Sequence, residues 1–203
     1  QNEASALELL TNGSRFIKIQ APMVRYSRLP FRLFLKRYGC DIMYTHMIVV
    51  SSFNKSQAAR NSEFTTCRDD YPLVAQIADP NPIQLGLASR LLAPYCDAVD
   101  INCGCPQKWA IKDRIGAGML KDPQNISDSV KQITRISSLP CAIKIRLLSI
   151  KSDIKSLRET VDLCRKSEMA GASWITVHGR TVSQRTGVKV NKQAIKIIKD
   201  SLG

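Results

Sequence analysis

The stretch Asn102-Cys103-Gly104-Cys105-Pro106 combines an amide, two thiols, a glycine and a proline directly after an apolar run that is typical of a buried strand. Three kinds of chemistry use such a stretch: a disulfide, half of a metal site, or a catalytic thiol at the end of a strand. The choice between them depends on the other cysteines and histidines and on the elements that carry the stretch.

The cysteine and histidine content argues against the first two kinds of site. The chain has seven cysteines, an odd number, spread through apolar surroundings at positions 40, 67, 96, 103, 105, 141 and 164. This pattern favours reduced thiols. One residue separates Cys103 from Cys105, whereas structural zinc sites space their thiols by roughly two to four residues and need further ligands. With only His46 and His178 in the sequence, we predict no metal site.

Charge and composition narrow the class of protein. The 203 residues include 30 Lys and Arg against 17 Asp and Glu, which leaves a formal charge of +13. A domain this basic is often attracted to a polyanion, first of all nucleic acid, and the alternative is a generic basic surface. No run approaches the roughly 20 apolar residues of a membrane span, and the N-terminal residues show no signal-peptide pattern. The sequence therefore predicts a cytosolic or nuclear protein without a membrane segment.

Short β-rich runs alternate with helical stretches along the chain. The predicted strands are 16–22, 41–49, 72–78, 97–102, 140–148 and 173–179. The predicted helices are 29–39, about 81–94, the stretch that opens at Pro123 and runs through SDSVKQITRI, 157–171, and NKQAIKIIKDSLG. Because the strands are almost continuously apolar, the pattern favours a parallel sheet covered by helices on both faces.

Two architectures contain such a sheet, the doubly wound fold and the (β/α)8 barrel. A doubly wound dinucleotide fold needs a glycine-rich turn after its first strand, and the turn APMVRYSRLP contains no glycine. Polar residues also gather at the carboxyl ends of the strands, where barrel enzymes carry their chemistry. They are Gln76, Asn102, Cys105, Lys144, Arg146, His178 and Arg180. We predict an α/β protein with about six of the eight βα units of a barrel.

Six stretches of the chain resemble, in order and approximate spacing, those of the flavin-dependent tRNA-dihydrouridine synthases. They are APMVRYSRLPFR, YTHMI, VAQIAD, DINCGCPQ with IGAGML behind it, IKIR and WITVHGRT. The resemblance covers about residues 16 to 200 and is greatest to the eukaryotic branch that modifies D-loop positions 20a and 20b. It implies a TIM barrel, an FMN cofactor, NADPH or NADH as the reductant, and tRNA as the substrate.

The resemblance also implies a mechanism. In this family NADPH reduces bound FMN, the reduced flavin passes a hydride to C6 of a uracil flipped out of the tRNA, and a cysteine protonates C5. The matching cysteine here is Cys105. A thiol suits the role, because an ordinary cysteine with a pKa of about 8.5 is mostly protonated at neutral pH yet can release its proton. Cys103 has no role in the family pattern, and we predict that it packs in the core.

Five residues resemble those that hold the flavin in the family. Pro22 and Met23 resemble the stretch whose backbone lies along the isoalloxazine edge, and Gln76 resembles a glutamine that hydrogen-bonds the ring. Lys144 resembles the lysine near flavin N1 and O2, where a fixed cation stabilises the anionic reduced ring. His178 resembles a histidine that contacts the flavin.

Three further residues are assigned to the substrate side. Asn102 resembles the asparagine beside the uracil, while Arg146 and Arg180 are candidates for the flavin phosphate or the tRNA backbone, with a solvated arginine as the alternative for either. The resemblance makes 1–15 an N-terminal extension and 16–203 an incomplete FMN-binding catalytic barrel. In the family, the last strands bind the FMN phosphate and a helical domain binds tRNA. In the family, both of these parts follow the point that corresponds to Gly203, so we expect this sequence to be a fragment or a shortened form of such an enzyme.

Two other functions stay open at the level of the sequence. An FMN barrel that acts on a small pyrimidine shares the strand-end lysine and the thiol, but it does not need a charge of +13. A non-catalytic RNA-binding remnant would keep the basic face and lack turnover. The two are distinguished by activity on free pyrimidines and by tRNA binding without product.

Overall fold

The computed structural model describes residues 4–13, 15–151 and 153–202. Its strands are β1 (Met43–Tyr44), β2 (Ile48–Val49), β3 (Leu73–Ala78), β4 (Ala98–Cys103), β5 (Cys141–Leu147) and β6 (Trp174–Thr181). Its helices are α1 (Ala6–Thr11), α2 (Leu29–Arg37), α3 (Val50–Phe53), α4 (Gln57–Glu63), α5 (Pro82–Leu92), α6 (Lys108–Lys112), α7 (Pro123–Ile136), α8 (Ile154–Met169) and α9 (Lys192–Asp200), with a 3-10 helix at Gly116–Lys121.

The strands form one parallel sheet in the order β1-β3-β4-β5-β6, and β2 also pairs with β3. From β3 onward the spatial order follows the chain order, with helices α5, α7 and α8 as the connections. A doubly wound sheet reverses its strand order at a switch point, and this sheet does not. The chain therefore folds as part of a (β/α)8 barrel, as predicted.

Alternate residues of each strand face the helices and form the main core. In β4 these residues are Val99, Ile101 and Cys103, and in β5 they include Ile143 and Ile145, all fully buried. The predicted packing role of Cys103 is confirmed. Because side chains alternate along a strand, the residues between them face the inside of the barrel, where a ligand can reach those near the strand ends.

A second, smaller cluster closes the inside of the barrel near the beginnings of the strands. It contains Ile42, Tyr44, Val74 and Ala98, and α1 contributes Ala6, which is fully buried. Helix α1 lies within the predicted N-terminal extension and caps this end of the barrel. The inner face is thus mainly apolar at its base, where the indole N–H of Trp174 donates to the Tyr44 hydroxyl at 3.2 Å, and the side chains of the candidate site lie further along the strands.

The predicted strand 16–22 is wrong, because the structure forms only one bridge there, between Ile19 and Ile42. The carboxylate of Asp41 accepts the backbone N–H of Lys18 at 2.7 Å, so this N–H does not donate to a carbonyl of a neighbouring strand. Pro22 has no backbone N–H and therefore cannot extend the pairing as a donor. Local side-chain bonding and proline together limit the segment to a single pair.

The predicted strand 41–49 is divided into β1 and β2 by a bulge against β3. Residues 45–47 stand opposite residues 75–76, since the register changes between the two strand pairs. At the bulge, Thr45 Oγ1 accepts the backbone N–H of Gln76 at 2.9 Å. A side-chain oxygen thus replaces a backbone acceptor, which interrupts the ladder beside the strand end.

Helix starts follow their capping residues. Helices α5 and α7 begin at the predicted prolines, whereas α8 begins before the predicted range 157–171, because the side chain of Asp153 accepts the backbone N–H of Ser156 at 2.9 Å. Helices α3, α4 and α6 and the 3-10 helix are too short to show a period in the sequence. None of the described helices is long and apolar enough to cross a membrane.

We expect Asp122→Ala to destabilise the protein by about 1 kcal/mol, because it removes the N-terminal cap of α7. The side chain of Asp122 accepts the backbone N–H of Asn125 at 3.1 Å. Urea denaturation measures the change. Asp128→Ala, on the exposed side of the same helix, is the control and should change stability by less than about 0.5 kcal/mol. Equal effects of the two substitutions would contradict the capping role.

Candidate functional site

The strand register brings together the polar residues that the sequence placed at the strand ends. Cross-strand neighbours are Gln76 with Asp100, Asn102 with Lys144, and Arg146 with His178. Neighbouring strands are about 4.8 Å apart, and these residues all belong to the set that alternates with the core-facing one. Side chains from β3, β4, β5 and β6 therefore converge on the inside of the barrel.

A chain of hydrogen bonds, here called the amide relay, connects a buried acid to the cysteine loop. The Oδ2 atom of Asp100 accepts from Gln76 Nε2 at 2.7 Å, and Asn102 Nδ2 donates to Gln76 Oε1 at 2.7 Å. The Oδ1 atom of Asn102 then accepts the backbone N–H groups of Gly104 and Cys105 at 3.1 and 2.9 Å. Gln76 is 1% exposed, so its carboxamide is held by the protein at both ends.

Asp100 is the buried end of the amide relay. Its side chain is fully buried, and this burial raises the pKa of the carboxyl to about 7, although the bond from Gln76 and the charge of Lys144 favour the ionised form. In the part of the chain that the structure describes, its Oδ1 atom has no hydrogen-bond partner. Asp100 is not among the site residues that we predict from the sequence. An acid within the apolar run AVDIN is nevertheless a signal.

Cys105 lies half-buried in the loop after β4, and the backbone of Gly116 packs closely against it. Its carbonyl accepts the backbone N–H of Ala117 at 2.9 Å. Gly116 has a φ of +58°, and a Cβ added there would lie 2.7 Å from the Cβ of Cys105. The IGAGML stretch therefore packs against the back of the thiol, and only glycine leaves enough space.

Lys144 provides a positive charge next to the cysteine loop. Burial lowers the pKa of its ammonium, while the negative charge of Asp100 opposes this shift. Among the residues described, none accepts a hydrogen bond from the Lys144 ammonium or forms an ion pair with it. A half-buried ammonium without an acceptor fits a ligand that carries oxygen or a negative charge.

Arg146 links the cysteine loop to the end of β6. Its Nε donates to the carbonyl of Gly104 at 2.9 Å, and its Nη1 donates to the carbonyl of Thr181 at 3.1 Å. Burial lowers the pKa of the guanidinium, as does the charge of Arg180. Two of its donor groups are thus used within the protein, and Arg146 fixes the loop beside Cys105.

Arg180 contacts His178 and the loop after β6. Its guanidinium donates to the carbonyls of Val188 and Thr186, and its Nη1 lies 3.2 Å from His178 Nε2. Because a guanidinium can only donate, Nε2 is the acceptor and the hydrogen of a neutral His178 is on Nδ1. Arg180 therefore orients the histidine and holds residues 182–190, and its predicted contact with phosphate stays a prediction.

We expect His178 to stay neutral down to about pH 4, because burial lowers its pKa to about 4 and the charges of Arg146, Lys144 and Arg180 add to the effect. An unfolded histidine titrates near pH 6.5, so its protonation destabilises the fold progressively as the pH falls from about 6.5 towards 4. Proton NMR of the two histidines measures the midpoint, and His46→Gln assigns the signals. A midpoint above about 6 would contradict the environment described here.

Pro22 and Met23 lie in a loop that is anchored to the sheet. The backbone N–H of Met23, which is 38% exposed, donates to Ser27 Oγ at 2.9 Å. Gln20 holds the same serine, with Nε2 at 2.5 Å from its Oγ, and accepts the backbone N–H of Tyr44 at 3.1 Å. No hydrogen bond of the described residues joins this loop to the amide relay, so the predicted flavin contact of Pro22 and Met23 stays a prediction.

The two cysteines of the stretch 102–106 lie in different surroundings. All seven cysteines are free thiols, and Cys103 packs in the core while Cys105 lies in the site. Within residues 4–13, 15–151 and 153–202, no group of three or more His, Cys, Asp or Glu side chains is placed to hold a metal. The arrangement fits a reactive thiol at a strand end.

Comparison with known proteins places this site in a family. The sequence profile described as Dihydrouridine synthase (Dus) matches residues 19–203. A human protein named tRNA-dihydrouridine(20a/20b) synthase NAD(P)+-like is 44% identical over 205 residues, which cover 100% of this chain and 62% of the human one. A Schizosaccharomyces pombe protein named tRNA-dihydrouridine(20a/20b) synthase NAD(P)+ is 38% identical over 192 residues, which cover 94% of this chain and 57% of the yeast one.

The chain is also similar, over a smaller share of its length, to a protein whose name gives other tRNA positions. A tRNA-dihydrouridine(16/17) synthase of Schizosaccharomyces pombe is 36% identical over 173 residues, which cover 83% of this chain and 41% of that protein. The chain spans about three fifths of the length of its 20a/20b relatives. Since the profile matches almost the whole sequence, the chain belongs to the dihydrouridine synthase family.

Proposed function

We propose that this chain carries the catalytic face of an enzyme that reduces uridine to 5,6-dihydrouridine in tRNA, at D-loop positions 20a and 20b. The observation that carries the proposal is that the ammonium of Lys144, on the inside of the barrel, interacts electrostatically with both the half-buried thiol of Cys105 and the ring of His178. The names of the human and yeast relatives support tRNA as the substrate and these positions as the target.

The donor groups of the site fit FMN. The Lys144 ammonium has no acceptor among the described residues, His178 presents Nδ1–H, and the relay leaves Gln76 one N–H. When bound, FMN reduced by NADPH or NADH supplies the hydride that is added to C6 of the uracil. The charge of Lys144 would stabilise negative charge on the reduced ring, and the N–H groups would bind its carbonyl and nitrogen edge.

The chain's own residues supply the proton and position the base. Cys105 donates the thiol proton to C5, so that the hydride and the proton together saturate the C5–C6 double bond. The thiolate that remains is next to the cation of Arg146, which stabilises it until solvent returns a proton. Asn102 has one N–H left after the relay and can bind a uracil carbonyl.

The basic surface supports a polyanionic substrate. Exposed cations occur in the loop before α2 and in the segment that follows Cys105: Arg25, Lys108, Lys112 and Arg114. With the formal charge of +13, this distribution favours tRNA over a small pyrimidine. Binding to tRNA should therefore weaken steeply as salt is raised.

The test is a dihydrouridine assay with an extended protein, defined as this chain continued by the C-terminal segment of the human relative. Unmodified tRNA is incubated with FMN and NADPH, and dihydrouridine is located by mass spectrometry of the digested tRNA. We expect product at positions 20a and 20b. Product from free uridine monophosphate without tRNA would favour the small-pyrimidine enzyme. Bound tRNA and flavin without product would favour the RNA-binding remnant.

A further inference from the structure

We propose that Asp100 is a positioning residue that sets the direction of the amide relay and thereby fixes the loop that carries Cys105. The inference deepens the proposed function and rests on it for the role of Cys105. The Asp100 carboxylate contacts neither the thiol nor the loop directly, and it acts through Gln76 and Asn102.

The two ends of the relay determine its direction. At one end, the backbone N–H groups of Gly104 and Cys105 can only donate. At the other end, the Oδ2 atom of Asp100 accepts. A carboxamide can face either way in isolation, but between these ends only one orientation of Gln76 and Asn102 satisfies every bond. The reversed orientation would point Asn102 Nδ2 at two N–H groups.

Burial prevents water from taking over the role of Asp100. Asp100 is fully buried, so no solvent molecule is available in the place of its carboxylate to accept the Gln76 N–H that points there. The Oδ1 atom of Asp100 has no partner among the described residues and can carry a proton while Oδ2 continues to accept. The relay therefore keeps its direction in both protonation states of the acid.

The direction of the relay also decides what the site offers to a ligand. The carboxamide oxygens of Gln76 and Asn102 are both used as acceptors within the relay. Each side chain retains one N–H, and the Asn102 oxygen already accepts two bonds, so Asn102 presents a donor and no acceptor. Asp100 thus selects for ligand edges that carry carbonyl oxygens or unprotonated ring nitrogens.

The test compares Asp100→Leu, which removes the acceptor, with Asp100→Asn, which retains an oxygen in the same place. The readouts are hydrogen exchange of the Gly104 and Cys105 amides and the rate of alkylation of Cys105, both followed by mass spectrometry of the extended protein without cofactor or tRNA. We expect Asp100→Leu to accelerate exchange and alkylation by about tenfold or more, and Asp100→Asn to stay within about twofold of the parent.

Asp97→Leu is the matched control. Asp97 is at the start of β4, and its carboxylate accepts the backbone N–H of Leu73 at 2.7 Å, so its loss perturbs the same strand at the opposite end. We expect no change at Gly104 and Cys105. An equal change in Asp97→Leu would overturn the proposal, because the effect would then be a general loosening. Wild-type exchange in a folded Asp100→Leu protein would overturn it as well.

A second variant covers the case in which Asp100→Leu does not fold. Gln76→Met keeps the side-chain length and removes the middle of the relay, and we expect it to accelerate exchange at Gly104 and Cys105 in the same way. Unchanged hydrogen exchange at Gly104 and Cys105 in Gln76→Met overturns the proposal. Exchange that is accelerated by about tenfold or more in Asp100→Asn overturns it as well. Because these readouts require no FMN, NADPH or tRNA, their outcome is independent of whether the extended protein makes dihydrouridine.

Discussion

Replacing Cys105 with alanine should lower dihydrouridine formation by the extended protein by about 10²–10⁴-fold, the usual loss when a general acid is removed. The proposed mechanism assigns the proton that is added to C5 to this thiol. Flavin binding should stay within about twofold of the parent, since the flavin is expected to contact Lys144 and His178. The measurements are single-turnover rates of product formation and flavin absorbance.

The control for Cys105→Ala is Cys67→Ala, which removes an exposed thiol from the same chain. This variant should keep the activity of the parent. Activity of Cys105→Ala close to that of the parent would show that another group protonates C5. Loss of flavin from Cys105→Ala would instead assign Cys105 a structural role, and the proposed mechanism would be wrong.

Substituting alanine for Gly116 should lower the same activity by about 100-fold, because it moves the thiol without removing it. The added Cβ would lie 2.7 Å from the Cβ of Cys105 and 2.8 Å from its carbonyl oxygen. Real Cβ atoms do not approach this closely, and the φ of +58° at Gly116 adds strain for any residue with a side chain. The backbone behind Cys105 must therefore shift.

Gly187→Ala is the matched control, since an added Cβ there meets nothing within 4 Å. It should leave both activity and melting temperature unchanged. For Gly116→Ala we expect the loss mainly in kcat, because the displaced thiol is used in the chemical step. A kcat equal to that of the parent in a folded Gly116→Ala protein would contradict the prediction, because the backbone would then accommodate the added Cβ without displacing the Cys105 thiol.

Much of the fold could be predicted from the sequence, because it depends on short-range patterns. The prolines at the starts of α5 and α7 and the apolar runs of β3 to β6 identify their elements without reference to the rest of the chain. Among the predicted strands, the exceptions were 16–22 and 41–49. There, the side chains of Asp41 and Thr45 take part in bonds that would otherwise form a ladder, and such competition is not visible in an apolar pattern.

The candidate site was predictable in part. Lys144 and His178 could be placed together because the carboxyl ends of parallel strands meet at one edge of a sheet. The roles of Asp100, Gly116 and Arg180 could not be predicted in this way. Each depends on a contact whose geometry only the folded chain provides: Gln76 for Asp100, the back of Cys105 for Gly116, and the loop carbonyls for Arg180.

The sequence by itself determined the family, the alternation of strands and helices, and the types of group available for chemistry, because motifs and periodicity are local properties of the chain. Only the tertiary structure decided how these groups are used. The bonds of the amide relay join Gln76 to Asp100 and Asn102 across 24 and 26 residues, and Arg146 reaches Gly104 across 42. Because burial and the strand register determine these pairings, the structure identified the acid that directs the relay and the glycine that supports Cys105.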